Sequence, residues 1–85
     1  MRTEDAVVAW IQNCLDGIDN LVWASSCHGD GNKFYSYSTP ICKFYPCDKH
    51  FVLNPKKYSV TTTKLQNCLR RHLNGLNVTE SEGLR

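Results

Sequence analysis

Two segments whose apolar residues recur every three to four positions flank a stretch of aromatic and β-branched runs, all within 85 residues. A chain with this layout has few ways to close. Each amphipathic helix has one stripe to bury, each short strand has one face, and a chain of this length holds a single modest core. Both helices are therefore expected on the same side of the sheet.

The first stripe is Val7, Trp10, Ile11, Cys14 and Leu15, with Gln12, Asn13 and Asp16 lying off it. Thr3 reads as an N-cap, Glu4 and Asp5 suit the positive end of a helix, and Gly17 can take a left-handed stop; together they predict a helix over 4–16. The second stripe is Leu65, Cys68, Leu69, His72 and Leu73, preceded by Thr61, Thr62 and Thr63. Gln66 follows Thr63 at capping-box spacing, and Asn74-Gly75 reads as the stop. Between the helices, 21–24, 33–38, 41–45 and 50–53 read as strands. Residues 28–32 read as a turn, Pro40 as a bulge or sheet-edge crossing, and 46–49 as a tight hairpin. The expected fold is α+β over residues 1–76: an N-terminal helix, a three- to four-stranded antiparallel meander and a C-terminal helix in a two-layer sandwich. Residues 77–85 show no period and are expected as a flexible tail.

Charge is unevenly placed along the chain. Residues 1–32 carry Arg2 against five carboxylates, whereas residues 33–75 carry eight Lys and Arg against Asp48 alone. A nucleic-acid mimic, which needs a dense carboxylate surface, is excluded by this pattern. No apolar run is long enough for a membrane span, and the N-terminal residues do not read as a secretory leader. Five cysteines, an odd number, then suit a reducing, cytoplasmic compartment better than a disulfide framework.

The stretch Tyr35-Ser36-Tyr37-Ser38-Thr39-Pro40-Ile41, followed by the run from Leu53 through Tyr58-Ser59-Val60-Thr61-Thr62-Thr63-Lys64-Leu65-Gln66-Asn67, resembles a family of short phage and bacterial mobile-element proteins. The resemblance covers about the middle half of the chain. Cys42 and Thr63 depart from its pattern. It implies a phage-like origin and brings no activity or site residues. Small phage accessory proteins commonly act by binding nucleic acid or a host defence complex, as anti-CRISPR proteins do.

Three kinds of chemistry compete for the remaining residues. The basic excess coincides with the aromatics, and strand alternation would set Lys33, Tyr35 and Tyr37 on one face with Phe34 and Ser36 on the other. Lys64, Asn67, Arg70 and Arg71 form the polar face of the second helix, and the amides and hydroxyls of Thr62 and Thr63, with Lys64, could hold an anion. An ordinary solvated helix face and a plain N-cap explain the same residues. Cys42, Cys47 and His50, with Cys27 upstream, offer soft metal ligands, but their spacing matches no common zinc module, so no metal or cofactor is expected. No nucleophile elbow, phosphate loop or paired-carboxylate motif is present, so catalysis is not expected either. The leading expectation is a non-enzymatic, phage-type accessory protein that binds and inhibits or redirects a host protein complex. The alternatives are a nucleic-acid-binding module and, behind it, a zinc-stabilised domain.

Overall fold

In the computed structural model, which describes residues 2–81, helix α1 (Thr3–Asp16) turns Ala6, Val7, Trp10, Ile11 and Cys14 inward. Gly17 ends it in the left-handed region at φ 72°, with the Ile18 amide donating back to the Asn13 carbonyl. Thr3 is not the N-cap: it is the first helical residue, and Arg2 holds the capping position without a side-chain bond. The carboxylates of Glu4 and Asp5 in the first turn still complement the helix dipole.

The sheet has six strands, in the order β1 (Leu21–Trp23), β2 (Cys27–Asp30), β3 (Lys33–Ser36), β4 (Thr39–Tyr45), β5 (His50–Leu53) and β6 (Val78–Glu80). β1 to β5 form an antiparallel meander, while β6 pairs parallel to β5 after the crossover helix α2 (Val60–Leu73). The architecture is thus α+β with a mixed sheet, larger than the three or four antiparallel strands expected. Val78–Glu80, expected within a tail, is hydrogen-bonded into the sheet; residues 82–85 lie outside the described residues.

The segment 28–32 is not one turn. His28 to Asp30 belong to β2, and only Gly31 and Asn32 make the reversal, with Gly31 at φ 59°. Gly29 is in the strand because of a close approach: a Cβ there would stand 2.5 Å from Trp10 Cδ1. The second strand likewise stops at Ser36, and Tyr37 sits in the hairpin turn at φ 55° rather than on the face that carries Tyr35. The bulge expected at Pro40 is present. Phe34 pairs with Cys42 but Tyr35 pairs with Pro40, so Ile41 is the extra residue, and both Ile41 and Cys42 point inward.

One face of the sheet contributes Val22, Cys27, Phe34, Phe44, Phe51 and Leu53 to the core, together with the stripes of α1 and α2. Trp10 lies at its centre, fully buried, with ring centroids 5.3 Å from Phe34 and 5.7 Å from Phe51. Its indole N–H donates to the Gly31 carbonyl at 2.9 Å. Among the described residues no buried side-chain polar atom lacks a partner.

Gly29→Ala should lower stability by about 1–3 kcal/mol, because the methyl meets the rigid indole and not a flexible chain end. Urea unfolding measures this; an unchanged midpoint would show that Trp10 does not lie against Gly29.

Candidate functional site

The helices cover one side of the sheet, and the side chains that alternate with the core residues form the other side. Across β1, β2 and β3 the register aligns Trp23, His28 and Tyr35 in one row. Their rings stack: the Trp23 and His28 centroids are 4.5 Å apart at 20°, and those of His28 and Tyr35 are 4.8 Å apart at 10°. Neighbouring strands are themselves about 4.8 Å apart. The rings therefore stand upright on the sheet, face to face, and present their edges outward.

A second row runs Leu21, Asp30, Lys33, Lys43, Val52 and Thr79 across all six strands. Lys33 and Lys43 are direct cross-strand partners, a like-charge pairing that costs free energy on its own. Lys43 Nζ leans over the Tyr45 ring at 4.9 Å, which partly offsets that cost. Tyr45, His50 and Val52 line a shallow depression of about 550 Å³ with the hairpin residues Pro46, Cys47 and Asp48. His50 Nε2 is 2.7 Å from Thr79 Oγ1, tying this end of the face to β6. Trp23 is 58% exposed and Leu21 57%, large values for apolar side chains so close together.

Of the expected partner-binding residues, the structure brings Lys33 and Tyr35 onto this face and leaves Tyr37 exposed in the turn beside it. Lys64, Asn67, Arg70 and Arg71 lie on α2, in the other layer. Two of the cations there are already paired: Arg70 donates to Asn67 Oδ1 at 2.9 Å and to Glu80 at 3.0 Å, and Arg71 donates to Glu4 at 3.0 Å. Glu4 also meets His72 Nε2 at 2.9 Å, and hydrogen bonds from His72 and Arg71 hold its carboxyl below its usual 4.5. Sequence reasoning missed Trp23, His28, Lys43 and Tyr45. Alternation about Val22 could have found Trp23; His28 was concealed by the glycines around it.

The polar residues around the start of α2 have a structural task. α2 is capped by Ser59, whose Oγ accepts from the Thr62 amide at 3.2 Å, so Thr63 is not the cap and 63–66 is not a capping box. Thr62 is buried, and its hydroxyl contacts Ser36 Oγ at 2.8 Å. Gln66 donates to the carbonyls of Asn54 and Lys56 at 2.6 and 3.0 Å, while the Asn54 side chain donates to Tyr58 Oη at 2.8 Å. The anion site expected from Thr62, Thr63 and Lys64 loses its first donors to this network. The Thr62 amide and hydroxyl, and the Thr63 amide, are all engaged within the chain.

Nor are the candidate metal ligands gathered. Cys27 and Cys42 are buried in the core, Cys47 is exposed in the β4–β5 turn, and His50 faces Thr79. Burial pushes the Cys14 thiol up to about 12 and those of Cys27, Cys42 and Cys68 upward too. At pH about 8 these four thiols should stay protonated, so an alkylating reagent should modify one cysteine of the native chain quickly. Cys47→Ser should remove that fast phase; rapid modification of two or more thiols in the native chain would contradict the placement.

A family model described as a family of unknown function, DUF8033, matches residues 8–83, which takes in nearly the whole fold. No curated protein and no solved structure matches the chain. Among the described residues no helix is long and apolar enough to cross a membrane.

Proposed function

The chain belongs to DUF8033, a family of unknown function, and we propose that it is a non-enzymatic binding module that docks a protein partner on the uncovered face of its sheet. The observation that carries this reading is the row of Trp23, His28 and Tyr35, set beside Leu21, Tyr45 and the Lys33–Lys43 pair on a face that neither helix covers. Large aromatic groups held in fixed positions make good anchors, because little side-chain freedom is lost on binding. Two lysines forced side by side favour a partner that brings carboxylates between them. With the phage-like sequence pattern, the sharpest form of the reading is an accessory protein that blocks or redirects a host complex, in the manner of anti-CRISPR proteins.

Nucleic acid is the rival reading, and the lysine pair is what supports it. Base stacking, however, needs exposed ring faces. In this row both faces of His28 and the facing sides of Trp23 and Tyr35 are taken by one another. The edge-on arrangement suits contact with a protein surface better.

The test is affinity capture from a bacterial host lysate, with and without nuclease, using the wild-type chain and the double variant Trp23→Ala, Tyr35→Ala. One discrete partner should survive nuclease and moderate salt. It should be lost in the double variant by at least about 30-fold in affinity, the equivalent of roughly 2 kcal/mol from the anchors. Lys64→Glu on α2 should leave binding unchanged. Recovery that vanishes with nuclease would transfer the face to nucleic acid, and capture indifferent to the double variant would move the site elsewhere.

A further inference from the structure

On the helical layer, away from the open sheet face, three side chains of different donor chemistry converge from two helices. Cys68 and His72 lie one turn apart on α2, and Glu4 comes from the first turn of α1, 68 residues from His72 in sequence. One sulfur, one imidazole nitrogen and one carboxylate oxygen all lie within 4.8 Å of one another. Ligand atoms around a tetrahedral zinc ion are about 3.3–3.8 Å apart, given bonds of about 2.0–2.3 Å, so small side-chain rotations would close the set. No other group of three such residues is brought together among the described residues.

We propose that Glu4, Cys68 and His72 form a binding site for a thiophilic divalent cation of the Zn²⁺ class. The donor set selects among metals: thiolate and imidazole favour Zn²⁺ or Co²⁺ over Mg²⁺ and Ca²⁺, which prefer oxygen. Three protein ligands leave a fourth position for water or an outside group. A cleft of about 440 Å³, with Glu4, Cys68 and Arg71 in its wall, supplies the space.

Arg71 already acts as a cation at this point. Its guanidinium lies 3.0 Å from Glu4 Oε2 and 3.8 Å from Cys68 Sγ. The side chain is 65% exposed, so it can swing into solvent when a metal ion takes its place. Metal and Arg71 thus compete for the same donors, and the site has a built-in threshold. Binding releases the Cys68 proton and transfers no electrons.

Titration of the purified full chain with Co²⁺ and with Zn²⁺ against a chromophoric chelator tests the site. One equivalent of Co²⁺ should bind with a thiolate-to-cobalt charge-transfer band in the near ultraviolet, and Zn²⁺ should displace it. Cys68→Ser should abolish the band. His72→Ala should weaken binding at least tenfold, since loss of even an outer-shell partner typically costs about 10–100-fold. Arg71→Gln should tighten binding, and Cys47→Ser should leave it unchanged. Glu4→Gln, at an exposed position, gives a second loss-of-ligand variant if the α2 substitutions disturb the helix. Absence of the charge-transfer band, or binding that follows Cys47 and ignores His72 and Glu4, would overturn the proposal.

Discussion

The indole of Trp10, packed against Gly29 and hydrogen-bonded to the Gly31 carbonyl, decides which side of the sheet is inside. Only glycine lets the ring approach that closely, and the N–H bond satisfies a polar group that would otherwise be costly to bury. Phe34 and Phe51 then pack around the same ring. α1 is thereby fixed to one face, and α2, which crosses over between β5 and β6, closes the same side.

Exposure of the opposite face follows from this arrangement. Outside the bulge at Ile41 and Cys42 the strands alternate, so the residues that meet Trp10 have neighbours directed away from it. On β1 to β3 those neighbours are Trp23, His28 and Tyr35, which stack on one another on the side away from both helices. The stack hides part of each ring and stiffens the surface, yet Trp23 at the sheet edge keeps more than half of its area in water. Lysines flank the row, and the helical layer, by contrast, spends Arg70 and Arg71 on Glu80 and Glu4. The availability of charge, more than its amount, separates the two sides.

Much of this could be read from residue order. The stripes of both helices except His72, the stop at Gly17, the hairpin at 46–49, the strand His50–Leu53 and the bulge at Pro40 all come from local chemistry, and the structure places each as that chemistry requires; His72 instead turns to Glu4. What could not be read depends on partners distant in sequence. Gly29 and Asp30 have turn composition and become strand only because Trp10 needs a residue without a side chain opposite it. β6, three residues long, is too short to show a period, which concealed the parallel edge. Glu4 resembles an ordinary first-turn carboxylate until α2 brings Arg71 and His72 to it.

The chain contains two tryptophans on opposite sides of this division, so each side carries its own fluorescent reporter. Trp10 is 0% exposed and Trp23 58%. Acrylamide quenching of the single-tryptophan variants Trp23→Phe and Trp10→Phe reports each indole in turn, with circular dichroism confirming that each variant is folded. Emission from Trp10 should be blue-shifted and resistant to quencher, and emission from Trp23 red-shifted and readily quenched. Equal quenching of the two would mean that the sheet has no protected and open sides of the kind described.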